Sequence, residues 1–159
     1  GFLAIAILDH MGAEVTAIDI NQDKMDKAKS AYNSIRTLHP DQMKNPLFDL
    51  VIEAAGTKGA IEMAFTLAKP GGTLITLGLT DAEVSFPALR VTRAELSILG
   101  SIIYTKQDFY EAFEILKNPG FNISPILSEI VSLTQYEKAF ADALTGNYTK
   151  IVMDFQNHG

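Results

Sequence analysis

The sequence predicts an α/β fold built on a doubly wound parallel sheet. Apolar runs of strand length alternate with segments whose apolar residues recur every three or four positions. The predicted strands end at or just before Asp19, Gly56, Gly78 and Ser101. Because the carboxyl ends of parallel strands share one edge, where such sheets bind ligands, these four residues are expected to line a single crevice.

The first elements are a helix, a strand, a second helix and a short strand. The apolar run at 2–11 is typical of a helix packed on a sheet, and Gly12 follows where a helix usually stops. A strand is predicted at 14–18, and Asn21 can cap the next helix. A short strand is expected at 35–38. The apolar stripe of the second helix is Met25, Ala28 and Tyr32.

The middle of the chain predicts a strand, a helix and another strand. The run at 48–55 is apolar apart from Asp49 and Glu53, which suits a parallel strand covered on both faces. The following helix is closed by K-P-G-G at 69–72, and a strand begins at Thr73. The apolar stripe of this helix is Ile61, Ala64, Phe65 and Ala68.

The remaining elements begin after a polar stretch at 80–95, which contains a proline and is expected to be a loop with a short irregular turn. A strand at 96–101 follows, then a helix from about Gln107 that N-P-G halts, and a terminal strand at 150–155. The apolar residues that support that helix are Phe109, Ala112, Phe113 and Leu116.

The final helix carries the clearest start signal. Thr134 and Glu137 have the spacing of a capping box, and Leu133 stands at the position of a hydrophobic staple. The expected buried stripe is Tyr136, Ala139, Phe140 and Ala143.

Composition limits the possible functions. A net charge of −6 and a pI near 5.0 disfavour nucleic acid and anionic membranes as partners, since both require a clustered basic surface. The chain has no cysteine, which excludes a disulfide framework, a thiolate zinc site and a cysteine nucleophile within these residues. The longest apolar run is too short to span a bilayer, and no targeting signal is visible. A cytoplasmic location is expected.

Asp19 ends an apolar strand, and an acid at that position has two interpretations. It can assist the helix cap at Asn21, or it can accept hydrogen bonds from the ribose hydroxyls of a dinucleotide. In the second case its charge also repels a 2′-phosphate. The residue pattern alone leaves both open.

An ordered set of segments resembles the medium-chain dehydrogenases, most closely their zinc-dependent polyol branch. The segments are G-A-E-V-T-A-I-D-I-N-Q-D-K-M-D-K-A-K, F-D-L-V-I-E-A-A-G-T, K-P-G-G-T-L-I-T-L-G-L, E-L-S-I-L-G-S-I-I-Y-T-K-Q-D-F and the pair K-A-F-A-D-A-L and K-I-V-M-D-F. Sorbitol and sugar-alcohol-phosphate dehydrogenases are the relatives that this order suggests. The resemblance implies a Rossmann-like fold and covers nearly the whole chain, most weakly at 30–46.

The resemblance assigns cofactor-binding roles to residues of this chain. Asp19 would bind the adenosine ribose, Ile20 would form one wall of the adenine slot, and Lys24 would be a cation near that ribose. Gly1 and Lys150 would lie near the pyrophosphate. The residues expected near the nicotinamide and its ribose are Ala54, Ala55, Gly56, Leu77, Gly78, Leu79, Ser101, Ile102 and Ile103. For the glycines turn formation alone is an alternative, and for Leu77, Leu79 and Ile103 it is core packing.

The resemblance also aligns Gly1 with the third glycine of G-x-G-x-x-G, so that the first strand and the phosphate-binding turn are not represented. That strand is central in the order 3-2-1-4-5-6, and without it we expect two half-sheets with unpaired buried edges. We therefore expect a segment that does not fold alone, from a chain about twice this length. Residues 1–103 would form the nucleotide-binding domain, and 104–159 would return to the catalytic domain.

No catalytic or metal-binding residue is assigned to this chain. The family's zinc ligands, typically a cysteine, a histidine and a glutamate, belong to an N-terminal catalytic domain. His10, His39 and His158 are isolated in the sequence, and an isolated histidine makes neither a metal site nor a relay. Glu53 is interpreted as a local hydrogen-bond partner and not as a base.

The resemblance implies that the parent protein transfers a hydride between a secondary alcohol or polyol and NAD, with zinc polarising the alcohol oxygen. Two alternatives stay open: a nucleotide-binding module without oxidoreductase activity, and a zinc-free NADP-dependent reductase of the same superfamily, which Asp19 disfavours. The strand at 96–101 is expected at an exposed sheet edge, where related dehydrogenases dimerise, so a homodimer or homotetramer is predicted.

Overall fold

The computed structural model describes residues 1–32 and 34–156. Its helices and strands are α1 Phe2–His10, β1 Thr16–Ile18, α2 Gln22–Ala31, β2 Arg36–Leu38, β3 Phe48–Glu53, α3 Lys58–Leu67, β4 Ala68–Thr76, α4 Ala88–Arg93, β5 Ser97–Gly100, α5 Lys106–Lys117, β6 Glu129–Ser132, α6 Tyr136–Leu144 and β7 Ile151–Asp154. Short 3₁₀ turns occur at Pro40–Gln42 and Leu133–Gln135.

The strands form three parallel sheets, which confirms the predicted α/β class. The first sheet pairs β1 with β2, the second has the order β3-β4-β5, and the third pairs β6 with β7. Among the described strands, β1 pairs only with β2 and β3 pairs only with β4. β1-β2 and β3-β4-β5 are therefore two separate half-sheets among the described strands, as the resemblance implied.

Each half-sheet has its own hydrophobic core. The core of the first half consists of Ala6, Val15, Ala28, Tyr32, Ile35, Phe121 and Ile126. The core of the second half consists of Val51, Ile61, Ala64, Phe65, Leu67, Ala68 and Leu74. Ile18, at the end of β1, packs against this second core and thereby joins the two halves. Phe121 and Ile126 bring the C-terminal part of the chain into the first core.

The local signals of the first half are confirmed. The side chain of Asn21 caps α2 by accepting a hydrogen bond from the backbone N–H of Lys24 at 3.0 Å. Met25, Ala28 and Tyr32 are buried, as their spacing predicted. The strand predicted at 48–55 is covered less completely than expected, because Leu50 is 40% exposed.

The K-P-G-G segment is a bulge within β4 and not a turn before it. β4 begins at Ala68, directly after α3, and pairs there with Phe48; the register then shifts, so that Leu50 pairs with Thr73. Gly71 allows the bulge because its φ is +74°, in the region that disfavours side chains.

The expectation of a loop at 80–95 is wrong over α4. Arg90, in α4, explains why this helix is stable: its guanidinium donates hydrogen bonds to the carbonyl oxygens of Phe65 (2.6 Å), Thr66 (3.0 Å) and Ala68 (2.9 Å) at the end of α3. These bonds join segments distant in sequence, so no local pattern predicts them.

The C-terminal segment differs most from its prediction. The capping box is formed by Ser132 and Gln135, not by Thr134 and Glu137, because the chain first makes a 3₁₀ turn. Of the predicted buried stripe only Ala139 is buried, while Phe140 is 64% exposed. The remaining members, Tyr136 and Ala143, are exposed. β6 was not predicted.

Helix α5 begins with a true capping box between Thr105 and Asp108 and ends at Asn118. None of its residues is buried. Ile115 packs against the core of the first half, whereas the other large apolar side chains are at least half exposed; they are Phe109, Tyr110, Phe113 and Leu116. The boundary predicted at 103/104 stays a prediction.

Candidate cofactor site

The carboxyl ends of β3, β4 and β5 lie side by side. The backbone N–H of Leu77, just after β4, donates to the carbonyl oxygen of Glu53 at the end of β3, at 2.8 Å. The N–H of Ser101, just after β5, donates to the carbonyl oxygen of Thr76 at 3.1 Å. The predicted site segments 54–56, 77–79 and 101–103 therefore leave the sheet at one common edge.

Asp19 follows β1 and is partly exposed. Its Oδ1 accepts a hydrogen bond from the backbone N–H of Asn21 at 2.9 Å, so it does support the start of α2. Its Oδ2 accepts no hydrogen bond from the described residues and is available to a ligand. Ile20, beside it, is 78% exposed. The geometry is thus compatible with both interpretations of Asp19 at once.

Gly1, at the start of α1, lies near the side chains of Asp19, Glu53 and Lys24. Burial lowers the pKa of the Gly1 amino group, the nearby carboxylates of Asp19 and Glu53 act in the opposite direction, and Lys24 lowers it further. All three side chains are therefore close enough to Gly1 to influence its charge. No side chain of the described residues caps α1, so within them its first N–H groups are available as donors to an anion.

Lys27 lies at the N-terminal end of α1, and the residue that it contacts precedes Lys150. The ammonium group of Lys27 lies over the Phe2 ring, 5.8 Å from its centroid, and donates a hydrogen bond to Thr149 Oγ1 at 2.7 Å. Lys150 is the next residue, so this contact brings the start of β7 toward the N-terminus of α1. Lys27 was not predicted at the site, although its spacing from Lys24 places the two on one face of α2.

The turn at 54–56 packs directly on the segment 77–79. Gly56 has a φ of +67°, and a Cβ built on it would lie 2.6 Å from the carbonyl oxygen of Leu79. A Cβ built on Gly78 would lie 2.2 Å from the nitrogen of Gly56. Turn formation alone does not explain these glycines, because the close approach of the two backbones excludes any larger residue at both positions.

Glu53 stabilises the turn at 54–56 where it packs on the segment 77–79. It is 4% exposed, and its Oε1 accepts hydrogen bonds from the backbone N–H groups of Ala55 and Gly56, each at 2.8 Å. This confirms the expectation of a local hydrogen-bond partner.

The apolar residues predicted at the site lie on the surface and not in the core. Leu77 is 39% exposed, Leu79 76% and Ile103 82%. Ile102 is 69% exposed, and Ile103 has a positive φ of 59°, which is uncommon for a β-branched residue. Leu77, Leu79 and Ile103 belong to neither hydrophobic core of the described residues, so packing within this part of the chain does not account for them.

The histidines of the described residues have structural contacts. His10 stacks edge-on against Phe121 at 5.4 Å between centroids, and His39 caps the turn at Pro40–Gln42. His158 lies outside the described residues. Within residues 1–32 and 34–156, no group of three or more histidine, cysteine or acidic side chains could hold a metal ion. In that same part of the chain, no helix is long and apolar enough to cross a membrane.

Comparison with known proteins links this geometry to one family. The family described as zinc-binding dehydrogenase matches residues 1–118. A probable D-xylulose reductase A of Aspergillus clavatus is 27% identical over 96% of the chain and 47% of its own length. An L-threonine 3-dehydrogenase of Paraburkholderia phymatum is 30% identical over 98% of the chain and 48% of its own length. The chain thus spans about half the length of the curated relatives it matches.

Solved structures share the fold. The chain is similar to an L-idonate 5-dehydrogenase of Escherichia coli, with a TM-score of 0.84 and 21% identity over 97% of this chain and 46% of that one. It is also similar to a short chain alcohol dehydrogenase of E. coli CFT073 in complex with NADH, with a TM-score of 0.85 and 17% identity over 97% of this chain and 49% of that one.

Proposed function

The chain belongs to the zinc-binding dehydrogenase family, and from this premise we propose that it is the NAD-binding part of an alcohol or polyol dehydrogenase. The parent protein would transfer a hydride between a secondary alcohol and the nicotinamide ring. Dehydrogenases and reductases of small hydroxy compounds among its relatives support this class of reaction. The bound cofactor supplies the hydride chemistry, and the residues of this chain bind and orient it.

Asp19 is the observation that favours NAD. Its Oδ2 is free of hydrogen bonds from described residues at the carboxyl end of β1, close to the first turn of α1. A carboxylate there can accept a hydrogen bond from an adenosine ribose hydroxyl, whereas a 2′-phosphate would meet its negative charge. We infer that Ile20 covers the adenine and that Lys24 lies beside the ribose.

The N-terminus of α1 and two lysines suit the pyrophosphate. The uncapped N–H groups of α1 are donors for an anion, and Lys27 with Lys150 adds positive charge near that end. We propose Gly1 and Lys150 as pyrophosphate-binding residues. The nicotinamide half would then lie over the segments 54–56, 77–79 and 101–103, where glycines permit close contact and apolar side chains are exposed.

No group of side chains among the described residues could bind zinc, although the description of the family names this metal. We therefore derive no catalytic step and no metal site from this chain. We propose that the zinc ligands and the alcohol site belong to other parts of the full-length protein.

The β5 edge supports the proposal of a homodimer or homotetramer. Among the described strands β5 pairs only with β4, and Ile98 (37%) and Leu99 (54%) are exposed on it. An unpaired edge beside apolar side chains favours pairing with a second copy. The acidic net charge of −6 supports neither nucleic acid nor membrane as a partner, and we propose a cytoplasmic location.

The decisive experiment is a panel of polyols and simple secondary alcohols, tested on the full-length protein with NAD and with NADP, before and after a zinc chelator. NAD-dependent turnover that chelation abolishes is expected. Binding of NAD without turnover would instead favour a nucleotide-binding module. Turnover with NADP that survives chelation would favour a zinc-free reductase.

A further inference from the structure

Glu53 is the one charged residue that is buried among the described residues. It ends β3 at the edge where we propose the cofactor binds. A buried carboxylate lowers folding stability unless its hydrogen bonds compensate for the lost hydration.

The side chain and the main chain of Glu53 hold two different segments. The Oε1 atom of the side chain accepts hydrogen bonds from the backbone N–H groups of Ala55 and Gly56, and these bonds shape the turn at 54–56. Through its carbonyl oxygen, the main chain accepts the N–H groups of Leu77 at 2.8 Å and Gly78 at 3.2 Å. We call residues 54–56 and 77–79 the floor segments.

The second carboxylate oxygen lies where the two floor segments pack against each other. Oε2 is buried, has no hydrogen-bond partner among the described residues, and lies 2.6 Å from the position that a Cβ on Gly78 would occupy. It is therefore covered by the floor segments and not exposed to a ligand above them. Whatever Glu53 does for a cofactor, it does through the backbone of these segments.

The floor segments lie on one particular side of the proposed cofactor. Ile18 packs against the core of the second half, so the end of β1 lies beside that half. Asp19 and Glu53 both lie near Gly1, which places the start of α1 close to the ends of β1 and β3. A dinucleotide whose adenosine ribose binds Asp19 and whose phosphates meet α1 must extend its other half over the floor segments. This step rests on the proposed function.

We propose that Glu53 is a positioning residue for the half of the dinucleotide that carries the reacting ring. Glu53 bonds to both floor segments and fixes them as one rigid surface. That surface sets the position of the ring, although Glu53 itself does not touch the ring. Hydride transfer requires the donor and acceptor carbons to be held at reacting distance, so a looser floor lowers both affinity for the whole dinucleotide and turnover. The adenosine half, bound at Asp19, is independent of the floor.

The test compares ADP with NAD on the full-length protein by calorimetry, with turnover measured in parallel. Glu53→Ala should weaken NAD binding by about 10- to 100-fold, since two charge-assisted hydrogen bonds are lost, and should lower kcat. ADP affinity should stay within about 2-fold, because the adenosine half does not reach the floor. Glu53→Gln should recover most of the loss, since its amide oxygen can accept the same two N–H groups.

Asp49→Asn is the matched control, because Asp49 lies in the same strand but binds Lys69 at the surface, at 2.9 Å. Gly78→Ala disrupts the contact between the two floor segments and leaves Glu53 unchanged, since the new Cβ would lie 2.2 Å from the nitrogen of Gly56. It should give the same ADP-against-NAD split, and it decides the matter if Glu53→Ala does not fold.

Three results would overturn the role of Glu53: an equal loss of ADP and NAD affinity, no loss of either, or no recovery in Glu53→Gln. A wild-type protein that binds neither ADP nor NAD would instead overturn the proposed function and, with it, this inference.

Discussion

Replacement of Asp19 by asparagine tests the cofactor assignment with the least disturbance of the fold. Asparagine has nearly the same shape, and its Oδ1 can still accept the N–H of Asn21 that now lies at 2.9 Å. The change therefore leaves the start of α2 in place and removes only the negative charge. What it alters is Oδ2, the oxygen that accepts no hydrogen bond from the described residues and that we propose binds the ribose.

The size of the effect follows from the exposure of Asp19. A hydrogen bond to a charged acceptor contributes about 1.5 to 3 kcal/mol. Because Asp19 is only partly buried, water competes for the carboxylate, and the lower part of that range applies. We expect NAD affinity to fall by about 10- to 30-fold and discrimination against NADP to weaken by a similar factor, because the charge repelling a 2′-phosphate is gone.

Calorimetry with NAD and NADP on the full-length protein provides the measurement. Asp23→Asn is the matched control, since it removes an exposed acid from the first turn of the same helix without reaching the proposed ribose. If Asp19→Asn left both dissociation constants within about 2-fold of the wild type, the effect of an ordinary surface substitution, Asp19 would not belong to the site.

Three further predictions concern stability, assembly and activity. Arg90→Ala should lower the free energy of unfolding by about 2 to 3 kcal/mol, because three carbonyl oxygens lose their donor, and Arg93→Ala on the same helix should not; equal melting temperatures for the two variants would refute this. Leu99→Lys on β5 should shift the full-length protein toward monomer in light scattering, whereas Ile130→Lys on β6 should not; an unchanged mass would place the interface elsewhere. Residues 1–159 made alone should show no turnover with any polyol, since no group of side chains among the described residues could hold the zinc ion that we propose polarises the alcohol; appreciable activity would contradict the assignment.

The local elements could be predicted because their signals are local. The spacing of Met25, Ala28 and Tyr32 marks the buried side of α2, and Asn21 marks its start, since both depend on backbone geometry within a few residues. The order of these elements was enough to predict a parallel α/β sheet. That β1 and β3 belong to separate half-sheets was implied by the family resemblance and not by the order of the elements.

Features that depend on distant contacts could not be predicted. α4 lies in a polar stretch and depends on Arg90 reaching the carbonyl oxygens at the end of α3. The local hydrogen bonds of Glu53 were expected from the sequence, whereas its burial and the bonds that its carbonyl oxygen accepts from Leu77 and Gly78 appear only when β3 and β4 pair.

Residue type in the sequence determined which chemistry the candidate site can offer, and the tertiary structure decided where that chemistry is available. Leu77, Leu79 and Ile103 illustrate the difference, since an apolar side chain suits a core and a cofactor surface equally well. Only packing distinguishes the two, because exposure depends on which segments cover a residue. In the structure all three are exposed at the carboxyl edge of the sheet. They lie next to the contact between Gly56 and Gly78 that Glu53 stabilises.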